Sequence, residues 1–446
     1  MLVAWGKVLI LRHFVCGGLL AIGLQFWPTI VVAEPAPERS AGCAGKQSAK
    51  EFSNVRAPGV AHARSKSPHN LTLVIGGDLG LGGSGQLVDA KGARKHGQRH
   101  AWKRLTAGIA PLINGDINFA NLETVVTASN RLPAVDKKFT FRSHPVGVRH
   151  LVEMGFNVFS LSNNHAIDYG AAGMRSTLKH ISALRSQGLL AAPGLGMTRT
   201  AAGGPQRFRV GRSTFSISAL GIGGVRPTGR RPGIISYRSA DGYRDALSWL
   251  AAEQSDYLIL SVHYGRELDI RPPRRAVKKL RDRAIRQAGI DLVVGHHAHV
   301  AAGVQRVDGK LVFYGMGNLL HPGMQNMARF KRCRDYGLLA RLHLTRSATG
   351  RLRAGAIEVH VLQDMHLVAR AMSPGKARRR IAVLNQLATG LDHKPSGARG
   401  VRFRVRADGT GLACLPGAVP RSGPIAALCR EWRGLARAPV AAARSC

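Results

Sequence analysis

Three histidines close an apolar stretch of the chain, and two of them are separated by a single residue. The largely apolar run 290–294 leads through a glycine to His296, His297 and His299. Neutral imidazole is the commonest metal ligand among side chains, and an extended backbone would point the rings of His297 and His299 to the same side. The pattern predicts a metal or substrate site at the end of a buried strand, although a chance surface cluster would show the same residues.

Four other apolar runs finish in residues that can bind metals. The candidates, in chain order, are Asp78, Glu123, Asn164 with His165, and His263. Each has an alternative interpretation: Asp78 could cap a helix, His263 could be a core histidine, and Asn164 could be a turn residue beside a ligating Asn163. Because five runs end in this way, we expect the side chains to meet at one edge of a sheet.

The candidates combine two carboxylates, an amide oxygen and several imidazoles. Such a mixed oxygen and nitrogen set suits Mn, Fe or Zn, as one or two ions. A bridging carboxylate can hold two ions about 3.5–4 Å apart, which activates water for attack on a phosphorus or carbonyl centre. His165 follows a candidate ligand directly, so we expect it to be the catalytic residue that donates a proton to the leaving group.

Short apolar strands alternate with amphipathic helices around these candidates, which predicts an α/β architecture. Further strands are expected between 338 and 362. The main predicted strands are 71–75, 117–121, 157–162, 257–262, 290–294 and 311–314, and the predicted helices are 102–112, 146–154, 174–184, 277–288 and 381–391.

The chain of 446 residues carries 65 Lys and Arg against 25 Asp and Glu, a formal charge of +40. A surface of this kind attracts an anionic polymer, anionic lipid headgroups at a membrane surface, or nucleic acid. Nucleic acid is not favoured, because no zinc-finger spacing or aromatic RNA-binding motif accompanies the charge. An arginine-rich genome would give the same composition without any such partner.

The N-terminus predicts export to the cell envelope. Residues 1–33 combine basic residues, an apolar run and a Val-Val-Ala exit, which is typical of a signal peptide or an uncleaved membrane anchor. Residues 34–69 are interpreted as a linker, 70–392 as the metal-binding domain, and 393–446 as a loosely ordered basic tail. Within that tail, Cys414 and Cys429 could form a disulfide or remain free thiols.

Five motifs occur in an order that resembles the CapA family of poly-γ-glutamate capsule synthesis proteins. They are Asn-Leu-Glu at 121–123, Leu-Ser-Asn-Asn-His-Ala-Ile-Asp-Tyr-Gly at 161–170, Val-His-Tyr-Gly-Arg-Glu at 262–267, Val-Gly-His-His-Ala-His-Val at 294–300 and Gly-Met-Gly-Asn at 315–318. The CapA domain resembles the calcineurin-like metallophosphoesterases. The resemblance implies a four-layered αββα sandwich and a divalent metal site.

The resemblance also implies roles for single residues. Asp78, Glu123 and His299 would hold one ion, with Glu123 in the bridging position. Residues Glu123, Asn164, His263 and His297 would hold the other, and His296 is an alternative ligand. The opening motif of the superfamily carries a histidine two residues after its aspartate, whereas this chain has Gly80 there. We therefore expect one firm metal ion and one weak ion.

Three functions are compatible with these observations. The first is an exported, membrane-associated protein of poly-γ-glutamate or related capsule biosynthesis, which hydrolyses or guides the polymer, with capsule synthetase subunits as further partners. The second is a metal-dependent phosphoesterase, and the third is a non-catalytic scaffold that binds polyanions. Substrate contacts are hypothesised at Lys138, Phe139, Arg142 and Arg266, where surface charge and core packing are the alternative interpretation.

Overall fold

The computed structural model describes residues 61–63, 70–330, 333–347, 350–393 and 397–438. The predicted signal or anchor at 1–33 and nearly all of the predicted linker lie outside the described residues. Within the described ranges, no helix has the combination of length and apolar composition that a bilayer span requires.

Strands make up most of the framework. In chain order they are β1 (Ala61–Ala63), β2 (Leu71–Leu79), β3 (Gly92–Lys95), β4 (Gln98–Ala101), β5 (Ile117–Leu122), β6 (Val125–Val126), β7 (Arg142–Ser143), β8 (Val158–Ser160), β9 (Gln206–Val210), β10 (Ser213–Leu220), β11 (Tyr257–His263), β12 (Leu292–His296), β13 (Val304–Val307), β14 (Lys310–Phe313), β15 (Asn318–Leu320), β16 (Gly337–Arg346), β17 (Leu352–Gln363), β18 (Arg370–Ala371), β19 (Arg399–Gly400), β20 (Arg404–Val405) and β21 (Gly411–Cys414).

Eight α-helices accompany these strands in the described part of the chain. They are α1 (Trp102–Thr106), α2 (Pro145–Glu153), α3 (Gly170–Ala183), α4 (Arg199–Gly203), α5 (Ala240–Ala251), α6 (Arg274–Lys278), α7 (Pro374–Thr389) and α8 (Pro424–Gly434). Helix α6 continues as a π-helix over Lys279–Gln287, and short 3-10 turns occur at Ala110–Leu112, Leu184–Gln187 and Met327–Phe330. Local chemistry fixes several starts: Ser239 caps α5 by accepting a hydrogen bond from the backbone N–H of Gly242 at 3.1 Å.

Two large sheets carry the fold. The eight-stranded sheet has the order β1-β9-β10-β11-β12-β14-β13-β19, and its central strands β10, β11, β12 and β14 are parallel. The nine-stranded sheet has the order β20-β21-β17-β16-β2-β5-β8, with β15 paired to β2 and β18 paired to β17. In this second sheet β2, β5 and β8 are parallel. Parallel strands deliver their carboxyl ends to the same edge of a sheet.

Side-chain alternation along β11 shows how the layers pack. Leu258, Leu260 and Val262 face a core shared with α5 and the π-helix, whereas Tyr257 and Ile259 face the core shared with the nine-stranded sheet. That second core also receives the buried faces of α2 and α3. The two sheets therefore lie between helices, and the predicted α/β fold of the metallophosphoesterase type is confirmed.

The structure differs from the predicted domain limits at both ends. Strand β1 lies within the predicted linker and pairs in parallel with β9. Beyond residue 392, β21 pairs with β17 and extends the nine-stranded sheet, and α8 packs its Ile425 and Cys429 on β17. Cys414 and Cys429 form a disulfide that ties β21 to α8. These short elements were not predicted, because their sequences contain scattered Arg, Gly and Pro and show no local pattern. Their stability comes from contacts with the sheet that they join.

Candidate metal centre

The candidate ligands converge where the carboxyl ends of strands from both sheets meet. The nine-stranded sheet supplies Asp78 on β2, Glu123 after β5, and Asn164 with His165 after β8; the eight-stranded sheet supplies His263 at the end of β11, and His297 and His299 after β12. Every predicted site residue therefore reaches one region. The region is a seam between two sheets rather than the edge of one sheet.

Two fully buried carboxylates lie at the middle of this seam. The side-chain amide of Asn121 donates to Asp78 Oδ1 at 2.8 Å, and the backbone N–H of His297 approaches Asp78 Oδ2 at 3.2 Å. Among the described residues, neither carboxylate oxygen of Glu123 has a hydrogen-bond partner. A buried carboxylate without a donor is costly unless a cation lies beside it, so this arrangement fits a divalent metal ion.

Two sets of side chains place their ligand atoms within 4.8 Å of one another. One set is Glu123, His297 and His299, and the other is Asp78, Glu123 and His263. Glu123 belongs to both sets, so it is suited to bridge two ions. These buried groups could hold a metal ion, and their mixed carboxylate and imidazole chemistry suits a transition metal more than Mg or Ca.

Asn164 joins the same cluster through His263. The Nε2 atom of His263 lies 2.6 Å from Asn164 Oδ1, 3.1 Å from His297 Nδ1 and 3.3 Å from Glu123 Oε1. The four residues predicted to share one ion are therefore neighbours around a single imidazole nitrogen. Asn163 does not occupy this position: its Oδ1 accepts a hydrogen bond from the backbone N–H of His165 at 3.1 Å, and its amide nitrogen donates to the Leu122 carbonyl at 2.9 Å.

Burial and the neighbouring charged groups shift the pKa values of the two carboxylates in opposite directions. Burial and the nearby Asp78 carboxylate raise the pKa of Glu123 well above its usual value. Burial also acts to raise the pKa of Asp78, but the adjacent imidazoles of His296 and His299 hold it well below its usual value. In the absence of a cation, the two buried carboxylates therefore destabilise the folded protein.

The histidines show the complementary effect. Burial acts to lower the pKa of His299, yet Glu123 and Asp78 raise it to about 10. Burial and the charge of His299 lower the pKa of His297 to about 4, which leaves its imidazole neutral at pH 7. A proton on His299 partly balances the two carboxylates, and a metal ion would replace that proton.

The backbone around His297 and His299 is not extended. Strand β12 ends at His296, and the φ angles of His297 and His299 are +88° and +57°. The expectation that an extended strand aligns the two rings is therefore wrong. Left-handed conformations in residues other than glycine cost roughly 1–3 kcal/mol each and cluster at functional sites. Here they turn both rings toward the carboxylates.

His165 is held by a buried partner rather than by the other candidate ligands. Its Nδ1 lies 2.6 Å from Asp168 Oδ2, and Lys137 Nζ donates to Asp168 Oδ1 at 2.8 Å. The opposite nitrogen, Nε2, lies 3.9 Å from Glu123 Oε1. Burial lowers the pKa of His165 even though Asp168 acts to raise it, so the imidazole is neutral at pH 7 and presents a lone pair to the seam.

Several residues of the site carried no prediction of their own. Asn121 binds Asp78, and Asn318 accepts a hydrogen bond from His299 Nδ1 at 2.8 Å. Both lie in the quoted motifs, so their position was the available signal. His296, the alternative ligand, lies outside both ligand sets with its Nδ1 3.2 Å from Asp78 Oδ1. His321 is fully buried next to His299, and no sequence pattern singled it out.

A cavity of about 810 Å³ opens beside the seam and reaches His165 and His299. Its wall includes the basic or partly basic side chains Lys95, His96, His100, Arg329 and His366, together with Glu267. Of the hypothesised substrate contacts, Phe139 lines this cavity, whereas Arg142 is buried and stacks on Tyr169 with 5.2 Å from its guanidinium carbon to the ring centroid. Arg142 is thus a packing residue.

Comparison with known families settles what the motifs suggest. The model of the family described as bacterial capsule synthesis protein PGA_cap matches residues 72–322, which is more than half of the chain and includes every candidate ligand. The chain belongs to the bacterial capsule synthesis protein family. The family resemblance predicted from the motifs is therefore confirmed.

Curated relatives of this capsule synthesis family are distant. The chain is 27% identical over 240 residues to the PGA biosynthesis protein CapA of Bacillus subtilis, which covers 54% of this chain and 60% of that protein. It is 24% identical over 282 residues to the capsule biosynthesis protein CapA of Bacillus anthracis, with coverages of 59% and 63%. A probable polyglutamine synthesis accessory protein of Mycobacterium tuberculosis is 27% identical over 293 residues, with coverages of 57% and 75%. The match thus spans less than two thirds of the two Bacillus proteins.

Proposed function

We propose that this protein acts in the biosynthesis of poly-γ-glutamate or a related capsule polymer, as a divalent-metal-dependent hydrolase of the polymer's amide bonds. The observation that carries the proposal is the buried Glu123 carboxylate, which lacks a hydrogen-bond donor among the described residues and lies beside imidazoles from the facing sheet. The names of the curated relatives support the polymer, and the adjacent cavity provides room for a segment of it.

Residues of the seam divide the chemistry between them. Asp78, Glu123, Asn164, His263, His297 and His299 would hold the metal. A divalent ion bound there supplies Lewis-acid chemistry toward a carbonyl group. His165 accepts a proton from the attacking water through Nε2, while Asp168 stabilises the resulting imidazolium from the other side. As water adds to the carbonyl carbon and the C–N bond breaks, His165 returns the proton to the leaving nitrogen.

The charge of the molecule supports an anionic substrate. The formal charge of +40 raises the local concentration of a polyanion at the surface, and Lys95 and Arg329 bring positive charge to the cavity wall. The same charge would hold the protein near anionic lipid headgroups. Together with the apolar N-terminal run, it supports a location in the cell envelope, either released after export or anchored to the membrane.

The test uses the full chain, purified and then loaded with Mn, Fe or Zn. Elemental analysis should find bound metal, and the loaded protein should shorten γ-linked glutamate oligomers. The double variant His297→Ala/His299→Ala should lose both properties. The control variant His180→Ala, which changes a histidine on α3, should keep them.

Three other outcomes contradict the proposal in different ways. Hydrolysis of an aryl phosphate ester without cleavage of γ-glutamyl oligomers would assign a phosphoesterase. Polymer binding without any hydrolysis, retained in the double variant, would assign a scaffold. A chain that binds no metal at all would remove the basis of the proposal.

A further inference from the structure

His321 lies where a side chain at position 80 would otherwise be. It follows β15, which pairs in parallel with β2 so that Asn318 is opposite Asp78 and Leu320 is opposite Leu79. The backbone N–H of Gly80 donates to the Leu320 carbonyl at 3.0 Å. A Cβ atom on Gly80 would lie 2.8 Å from His321 Nε2, and its three nearest heavy atoms would all belong to the His321 ring.

The imidazole of His321 has nothing to bind among the described residues. Its side chain is 0% exposed, and neither Nδ1 nor Nε2 has a hydrogen-bond partner there. The histidines of the two ligand sets each have a polar neighbour, which is Asn164 for His263, His263 for His297 and Asn318 for His299. His296 also lacks a hydrogen-bond partner among the described residues, but its Nδ1 lies 3.2 Å from Asp78 Oδ1. A buried imidazole with two unpaired nitrogens requires an explanation, and coordination of a metal ion would provide one.

The position of the ring relative to the seam fits that explanation. Its centroid lies 6.2 Å from that of His299 and 4.7 Å from that of Phe141. The same separation of 6.2 Å relates His297 and His299, which belong to one ligand set. The ligand atoms of His321 lie outside both sets as they stand, so the ring has to turn toward Asp78 and Glu123 to join them. Because Gly80 has no side chain, the ring can lie against the backbone at the end of β2, where a Cβ would otherwise meet it.

We propose that His321 is a further metal ligand of the seam and supplies, from β15, the imidazole that Gly80 cannot supply from β2. It would join Asp78, Glu123 and His299 around the ion that the sequence predicts to be weakly held. This inference rests on the proposed metal site. It removes the reason to expect a weak second ion.

The first experiment measures metal rather than activity. The full chain is stripped with a chelator, titrated with Mn²⁺, and followed by electron paramagnetic resonance of free Mn²⁺ and by elemental analysis. Removal of an outer-shell partner of a metal site costs about 10–100-fold in affinity, and loss of a direct ligand should cost at least as much. His321→Ala should therefore weaken one Mn²⁺ ion by this factor or remove it, while the other ion remains.

Two variants separate a ligand from a packing residue. His321→Phe keeps an aromatic ring against Phe141 but has no nitrogen, so it should bind metal as poorly as His321→Ala. The double variant Gly80→His/His321→Ala moves the imidazole to β2, into the space that His321 vacates, and should recover the lost ion. Gly80→His alone places its Cβ against the His321 ring and should not improve binding.

The possible results are distinct. Normal Mn²⁺ stoichiometry and affinity in both His321→Ala and His321→Phe would overturn the role of His321 and leave the proposed metal site intact. Normal binding in His321→Phe together with loss in His321→Ala would assign His321 to packing and also overturn it. Absence of Mn²⁺ binding in the unmodified chain would overturn the metal site and this inference together.

Discussion

At the scale of single residues, Glu123 links the stability of the protein to its proposed chemistry. Its carboxylate is buried beside Asp78, and both its oxygens lack a donor among the described residues. A group arranged in this way destabilises the metal-free fold and becomes favourable when a cation arrives. Sites that sacrifice stability for function are expected to behave in this way.

Glu123→Gln should therefore separate the destabilisation of the metal-free fold from the stabilisation by a bound cation. The neutral amide removes the repulsion with Asp78, so we expect the chelator-treated variant to melt at a higher temperature than the chelator-treated parent. Added metal should raise the melting temperature of the parent but not of the variant. Thermal unfolding with and without Mn²⁺ measures both. Glu153→Gln, at the exposed end of α2, is the control, and a variant that melts lower than its parent without metal would contradict the argument.

Asp168→Asn tests how His165 is held. An asparagine cannot stabilise an imidazolium, and it can leave the imidazole in the wrong tautomer. We expect kcat for γ-glutamyl hydrolysis to fall about 10²–10⁴-fold, the usual contribution of general acid–base catalysis. Metal content should be unchanged, because Asp168 lies outside both ligand sets. Equal losses of metal and of activity would instead make Asp168 a support of the metal site.

Residue types predicted much of this site and little of its geometry. Asp78, Glu123 and His263 could be identified because each follows a readable apolar strand. The positive φ angles of His297 and His299 could not be predicted from the sequence, since neither position is a glycine or asparagine, the residues that most often adopt such angles. The sequence did not single out His321, because no motif marks it. It comes close to Gly80, which has no side chain, only through pairing of β15 with β2.

At the scale of elements, the C-terminal segment is part of the nine-stranded sheet. Arg406, between β20 and β21, forms a salt bridge with Glu358 on β17 and a second with Glu431 on α8, the latter at 2.8 Å. His343 on β16 approaches Glu358 at 2.7 Å. The segment is therefore attached to β17 by a strand pairing and a salt bridge to a nearly buried carboxylate, while the disulfide joins β21 to α8 within the segment.

Glu358→Gln should weaken this attachment in a pH-dependent manner. Burial acts to raise the pKa of Glu358, but His343 and Arg406 lower it from 4.5 to about 2. A depressed pKa contributes stability that is complete above pH 4.5 and is lost as the pH falls toward 2. We expect a loss of about 1.5–3 kcal/mol at pH 7 that shrinks over this range.

Denaturant unfolding at pH 7, 4 and 2.5 measures this difference. Glu431→Gln is the matched control, because Glu431 contacts the same arginine but is far more exposed, with 42% of its side chain accessible. It should cost less at every pH. A pH-independent loss in Glu358→Gln would show that packing, and not the charge, accounts for its contribution.

Helices and strands with a strong local pattern of apolar residues could be predicted from the sequence, whereas those with a weak pattern could not. Strand β11 and helices α2 and α3 carry clear apolar periodicity, and their expected ranges overlap those found. Strands β20 and β21 and helix α8 are short and rich in Arg, Gly and Ala, so they have no local pattern strong enough to read. Their order depends on contacts with β17, which only the folded sheet provides.

At the scale of the whole molecule, charge and shape act together. The excess of positive charge is spread over the sequence, but only part of it lies at the cavity beside the candidate metal centre. Long-range attraction would bring an anionic polymer to the surface, and the cavity would then select the segment that reaches His165. Salt weakens the first effect more than the second.

Charge reversal at one position should separate the two effects. Arg329→Glu, at the cavity, and Arg430→Glu, on the exposed face of α8, change the net charge equally. We expect Arg329→Glu to weaken poly-γ-glutamate binding by roughly tenfold, or about 1.4 kcal/mol, and Arg430→Glu by much less. Binding isotherms at 50 and about 300 mM NaCl measure this. Equal effects of both variants would show that the cavity does not select the polymer.

The location of the candidate ligands between two sheets has a consequence for how the protein would acquire a metal ion. The donors come from positions as far apart as 78 and 299, so an unfolded polypeptide has no preorganised means of retaining a metal. A metal ion would therefore bind after the chain has folded. Affinity alone discriminates poorly among transition ions, so the supply in the compartment where folding finishes would decide the occupant. If the protein folds after export, the metal ions available outside the cytoplasm would determine which ion it binds.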